Sequence, residues 1–207
     1  MTVADVARAW TKWLDVLEAH GFAAHAMTRP GASTEDLNQI LEVAGIALPD
    51  EMLALYRLSN GQQQSWPLSK LDGGFTTDLF PMYTFLSTEQ AAKEWQGWRN
   101  IFDQEGPSGM ADHAEFVVVP EPAKVAKEYW HPGWWPLARD GGGNLLAVDT
   151  APLAAGHVGQ IIVMGSDEDV RRVFAPGIVA YLDALSASAL ETHQHNDHMF
   201  WDIPALR

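Results

Sequence analysis

Three clusters in this sequence hold residue types that could do chemistry. The first is Asp167-Glu168-Asp169, just after the apolar run Val158–Met164. Paired carboxylates do acid–base work only where a pocket drives their pKa values apart. Consecutive acids in a polar loop point in different directions and stay solvated, so this cluster reads as a recognition patch. The second is His193-Gln194-His195-Asn196-Asp197-His198. Zinc requires imidazoles or carboxylates fixed in a tetrahedron and supported by outer hydrogen bonds. His193 and His195 would share a face on a strand, but nothing around them reads as one. His195 and His198 would do so only if the last helix reached that far, and no HExxH is present. The third is Asp140-Gly141-Gly142-Gly143-Asn144. A phosphate loop leads its glycines into a helix N-terminus, whereas these lead into a strand-like run. A calcium loop needs more oxygen ligands than Asp140 and Asn144 supply. No metal or cofactor is assigned, and the third cluster is turn chemistry.

Nucleophilic catalysis finds no residues either. The chain has no cysteine, no Gly-x-Ser-x-Gly, and no Ser, His and Asp set on recognisable strand ends. The catalytic set is empty, and a non-enzymatic binding protein is expected. Its aromatic resource is nine tryptophans. Trp10, Trp13, Trp95 and Trp98 lie on apolar helix stripes and should fill the core. Trp134 and Trp135 are strand neighbours, and neighbours face opposite sides. One should be buried and the other at least partly exposed, where it could anchor a partner or stack on a sugar.

Helices and strands must position these groups. Val6, Trp10, Trp13, Leu14 and Leu17 recur at helical spacing, with Gly21 at the stop. A second helix starts at Ser33, with Asp36 three residues on, carries Leu37, Ile40, Leu41 and Ala44, and ends at Gly45. A third runs from Pro49 to Asn60-Gly61. Gln62–Gly74 reads as a loop, and Leu79–Leu86 as an edge strand interrupted by Pro81. Ser87 and Gln90 form a capping box for a helix carrying Ala91, Trp95, Trp98 and Phe102, followed by a loop over Asp103–Ala114. From Phe116 the pattern turns to strands: Phe116–Val119, Val125–Trp130, Trp134–Ala138, Leu145–Asp149 and Val158–Met164. A last helix runs from about Pro176 to Leu190. The expected fold is α+β: one domain over 1–207, with a curled antiparallel sheet of about five or six strands and N-terminal, middle and C-terminal helices packed against it. Asp140–Asn144 should be the hairpin loop joining Trp134–Ala138 to Leu145–Asp149, with at least one glycine at positive φ.

A chain of 207 residues buries roughly 70% of its unfolded surface and needs no disulfide or metal staple. The lack of cysteine fits a reducing compartment. Met1–Ala26 does not read as a secretory signal and no apolar stretch reaches membrane-spanning length, so a cytoplasmic protein is expected. Lys+Arg 13 against Asp+Glu 27 gives a formal net charge of −14. Such a surface repels phosphate backbones and attracts basic partners.

The residues Trp134, Pro136, Leu137, Ala138, Asp140, Gly141, Gly143, Asn144 and Asp149 resemble the signature of the SMI1/KNR4 family (SUKH superfamily). Leu48-Pro49-Asp50 through Tyr56 to Asn60-Gly61-Gln62 is similar to that family's "LP…Y…NG" helix. Gly159-Gln160-Ile161, Val173-Phe174-Ala175 and Tyr181-Leu182 give a third match. Asn144 replaces the usual acid, and Pro176-Gly177 the usual Ser-aromatic step. The resemblance implies an immunity protein of the bacterial type, binding and neutralising a cognate protein toxin with a basic surface such as a nuclease. It leaves as alternative a regulatory or scaffolding protein of the SMI1/KNR4 type. A carbohydrate-binding domain built on exposed tryptophans is a third reading. The expected partner surface is Trp134, Trp135, Asp140, Asp149, Asp167, Glu168 and Asp169, with no nucleic acid and no membrane.

Overall fold

The computed structural model describes residues 2–63, 78–195 and 198–204, with side chains at 194–200 outside the description. The loop expected at Gln62–Gly74 lies, from 64 onward, outside the described residues.

Helix α1 (Val3–Ala19) begins with a capping box. Thr2 Oγ1 accepts from the Asp5 amide at 3.3 Å, and the Asp5 carboxylate accepts from the Thr2 amide at 2.8 Å. Its apolar stripe is buried as expected, and the Trp13 indole donates to the Leu79 carbonyl at 2.8 Å. A single helical turn, α2 (Ala24–Met27), follows. Helix α3 (Thr34–Ala44) has the predicted Ser33/Asp36 box and ends on left-handed Gly45, φ 66°. Leu37 and Ile40 are buried, but Leu41 is 58% exposed, so the stripe is narrower than the spacing suggested. Helix α4 (Asp50–Leu58) has Pro49 at its N-cap.

Strand β1 (Thr84–Phe85) is the short edge strand after Pro81. Helix α5 (Thr88–Ala114) starts at the Ser87/Gln90 box and continues through the stretch expected to be loop. Gly106 (φ 66°, ψ 179°) breaks it, and Pro107 restarts it, since a proline lacks only an N–H that a first turn leaves unbonded.

Strands β2 (Trp134–Arg139), β3 (Asn144–Asp149), β4 (Gln160–Gly165) and β5 (Val173–Ala175) complete an open antiparallel sheet in the order β1-β2-β3-β4-β5. β5 was not among the expected strands. The two expected strands at Phe116–Val119 and Val125–Trp130 do not form. Val118 makes one isolated parallel bridge to Val170, and Pro120 and Pro122 deprive the intervening backbone of ladder donors. Helix α6 (Ile178–Ala187) lies within the range expected. The histidine-rich tail contradicts the non-strand reading: β6 (Glu191–His195) pairs with β7 (His198–Asp202) as a separate hairpin.

β2, β3 and β4 are buried along nearly their whole length. The cause is cover on both faces. Residues paired across antiparallel strands share a face. One face carries Phe85, Ala138, Leu146 and Val163. Tyr56 of α4 stacks on Phe85 at 5.8 Å and accepts from the Trp135 indole at 3.1 Å. The other face carries Trp134, Asp149 and Gln160. α5 packs against β2, with its Trp95 indole donating to the Pro132 carbonyl at 2.9 Å.

Candidate functional site

The hairpin loop at the closed end of β2–β3 is built by Asp140. Its carboxylate accepts from the amides of Gly142 at 2.7 Å and Asn144 at 2.8 Å, and from the Asn144 side chain at 2.8 Å. Gly143 supplies the expected positive φ, 96°. A Cβ there would lie 2.9 Å from Ser166 Oγ, so the glycine also permits close approach of the next loop. Two bonds join the loops: Ser166 Oγ donates to the Gly142 carbonyl at 3.2 Å, and the Asp167 amide donates to Asn144 Oδ1 at 3.1 Å. Asn144, where the family signature has an acid, thus ties the hairpin to the acidic loop.

In that loop Asp167 and Asp169 are exposed and Glu168 is half-buried, accepting from the Val170 amide at 2.8 Å. A fully buried arginine holds it from below. Arg171 donates to the carbonyls of Glu128 (3.1 Å), Tyr129 (2.8 Å) and Glu168, and its Cζ lies 6.0 Å from the Trp134 ring centroid. Burial lowers the Arg171 pKa, while the charges of Glu168, Tyr129 and Asp169 oppose that shift. Tyr83, ahead of β1, completes this end of the sheet. Burial, then the charges of Asp140 and Glu168, push its phenol up to about 12. Beside it a cavity of about 140 Å³ has Tyr83, Glu168, Arg172 and Asp202 in its lining.

The seven residues expected to form the partner surface therefore divide. Asp140, Asp167, Glu168 and Asp169 come together at one end of the sheet. Trp134 (1% exposed), Trp135 (0%) and Asp149 (0%) do not belong to any surface. The strand rule that exposes one of two neighbouring tryptophans presumes one wet face, and this sheet has none. Asp149 is a packing device: it accepts from the Ala151 amide at 2.9 Å and from Gln160 Nε2 at 2.8 Å, and Gln160 also donates to the Lys124 carbonyl at 2.9 Å. Burial raises its pKa against the pull of these bonds. Sequence reasoning overlooked Tyr83, Arg171, Arg172 and Asp202. Arg171-Arg172 was a readable signal, a basic pair directly after the acids in an acidic chain.

A second cavity, about 230 Å³, lies between the N-termini of α4 and α6. Glu51 is in its lining and accepts from the Val179 amide at 3.4 Å. Among the described residues, no group of three or more His, Cys, Asp or Glu is arranged to hold a metal ion, and no helix is long and apolar enough to cross a membrane.

Comparison with known proteins gives the chain its relatives. It is 29% identical over 173 residues to a glucan synthesis regulatory protein of Neurospora crassa, which covers 70% of this chain and 31% of that protein. It is 27% identical over 175 residues to the cell wall biosynthesis/cell cycle regulator smi1 of Schizosaccharomyces pombe, covering 82% and 33%. It is 26% identical over 193 residues to the cell wall assembly regulator SMI1 of Saccharomyces cerevisiae, covering 80% and 37%. The chain spans about a third of the length of each. These three carry the names of regulators, not of immunity proteins, so they give the expected bacterial immunity type no support. Residues 31–184 match the SMI1 / KNR4 family (SUKH-1) as a whole, from the start of α3 through the sheet into α6, and the chain belongs to that family.

Proposed function

We propose that this chain is a non-enzymatic, regulatory protein-binding module that engages a basic segment of a partner protein at the acidic end of its sheet. The observation that carries this reading is the fusion of two loops. Asn144 and Ser166 hydrogen-bond the hairpin loop to the acidic loop, so Asp140, Asp167, Glu168 and Asp169 are presented on a braced surface. Pre-ordered charge costs little entropy to engage, and it speeds encounter with a partner of opposite sign. The regulator names of the fungal relatives favour this reading over toxin neutralisation. The net charge of −14 also suits an immunity protein facing a basic toxin, which keeps that as the second reading.

The test is crosslinking mass spectrometry in the source cell with the wild-type chain and a variant in which Asp167, Glu168 and Asp169 are all lysine. A partner crosslinked near residues 140–144 and 166–170, and lost in the variant, supports the module. A partner crosslinked equally to both proteins overturns it. A partner that kills cells when expressed without this chain would transfer the reading to the immunity class.

A further inference from the structure

The cavity beside Tyr83 has a composition that selects its occupant. Its apolar walls come from Val163 of β4, Phe174 of β5, Val170 and Ile203. Its charged lining is two carboxylates, Glu168 and Asp202, and one guanidinium, Arg172. The Arg172 Cζ lies 5.9 Å from the Phe174 ring centroid, so that charge sits on an aromatic ring. Met82 lies at the edge, 66% exposed and held at φ 65°. A flexible thioether in that position is an adaptable apolar contact for whatever approaches.

Size narrows the occupant further. Sites for whole drug-sized ligands run to ~300–1,000 Å³, whereas a cavity of ~150 Å³ admits a group about the size of benzene. At about 140 Å³ this one is the size for a single side chain. Lysine combines an apolar stem, which loses water against such walls, with a compact charge that favours carboxylates. With two carboxylates against the one guanidinium of Arg172, the lining is net negative, so it favours a cation over a glutamate or aspartate.

Building on the proposed reading of the acidic end as a surface for a basic segment, we infer that this cavity is its specificity pocket and receives one lysine of the partner. Its methylenes lie against Val163, Val170 and Phe174, and its ammonium is held by Glu168 and Asp202. Asp140, Asp167 and Asp169 outside it supply long-range attraction. The division of labour is that of many interfaces, where a seated anchor sets the lifetime and surrounding charge sets the encounter rate.

The experiment titrates ¹⁵N-labelled protein with the heptapeptide Gly-Ser-Gly-Lys-Gly-Ser-Gly, blocked at both ends. Controls carry norleucine or acetyl-lysine in place of lysine. The lysine peptide should shift the amides of Met82, Tyr83, Val163 and Phe174, and neither control should do so. Glu168→Gln keeps the acceptor for the Val170 amide and should weaken binding about tenfold, the loss of one charge-assisted bond. The Asp167→Asn/Asp169→Asn double variant should weaken it by less than about threefold, since exposed charges couple weakly. The amide spectrum of each variant verifies its fold. Shifts confined to residues 166–169, with equal losses in both variants, would overturn the pocket while leaving the basic-partner reading standing. If neither this peptide nor an all-lysine heptapeptide binds, both fall.

Discussion

The β2–β3 hairpin carries an aspartate at each end, and the two have opposite fates. Asp140, at the closed end, folds its carboxylate back onto the loop amides and stays at the surface. Asp149, at the open end, is fully buried beside Trp134 and bonded to Ala151 and Gln160. Both are satisfied by short local bonds, so hydrogen bonding does not separate them. Cover does. The segment 128–132, held by Arg171 and by Trp95 of α5, runs beside the open end, whereas at the closed end α5 reaches only as far as Arg139, through Glu94, and leaves Asp140 half-buried. An acid near a strand end is thus a recognition group or a core staple according to what lies over it.

The largest test of that comparison is at the tryptophans of the open end. Trp134→Ala and Trp135→Ala should each cost roughly 3–5 kcal/mol, the range for emptying a buried aromatic site. Trp135→Phe should cost less, about 1–3 kcal/mol, because it keeps most of the ring but leaves the buried Tyr56 hydroxyl without its donor. Urea unfolding of the three variants checks the order. A cost under 1 kcal/mol for Trp134→Ala, of the size seen for surface changes, would return that residue to the surface.

Asp149 comes next. Asp149→Ala strands the Ala151 amide and should cost about 1–3 kcal/mol. The pH dependence has a definite sign. Burial raises the folded pKa of Asp149 above its ordinary 3.8, so the folded protein binds this proton more tightly than the unfolded chain. The resulting stabilisation is fully present below the unfolded pKa and is lost as pH rises through the folded one. Acidification from about pH 7 toward pH 4 should therefore stabilise the wild type relative to Asp149→Asn, which has nothing to titrate there. Parallel unfolding midpoints over that window would contradict a buried Asp149.

Smaller again is the loop. Gly143→Ala must adopt a left-handed backbone, at a cost of about 1–2 kcal/mol, and must displace Ser166 Oγ from 2.9 Å. Heteronuclear relaxation should then show the 166–170 loop gaining motion along with the hairpin. If the hairpin alone loosens, the two loops are not one unit.

What could be read in the sequence was local. Ser33 with Asp36 and Ser87 with Gln90 announce helix starts, because each pair satisfies its own amides without help from elsewhere. Asp140 through Asn144 announces the hairpin for the same reason. What could not be read depended on partners remote in the chain. The apolar runs at 116–119 and 125–130 look like strands, but their backbone is claimed by Val170 and by the Arg171 clasp. The fates of Trp134 and Trp135 turn on a sheet covered twice, and the alternation of a single strand carries no count of layers. For the site, composition marked Asp167-Glu168-Asp169. It could not bring Tyr83 or Asp202 to them, since that takes the sheet and the C-terminal hairpin.

The smallest expected effect on stability belongs to the acidic loop, and it separates the two ends of the hairpin most sharply. Asp167 and Asp169 are exposed, and the loop is held mainly by main-chain groups: the Asp167 amide on Asn144 and the Glu168 carbonyl on Arg171. Asp167→Lys and Asp169→Lys remove neither. Each should change stability by no more than about 0.5 kcal/mol, with relief of repulsion in a chain of charge −14 offsetting any loss. The same changes should slow association with a lysine-rich peptide at low salt. That difference should shrink near 1 M salt, where the Debye length falls to about 3 Å. Stopped-flow binding and urea unfolding on the same variants measure both quantities. A large loss of stability would make the loop a staple like Asp149. An association rate unchanged at low salt would remove it from recognition. Only the pairing of unaltered stability with salt-dependent slowing matches an end of the sheet built for a partner rather than for the fold.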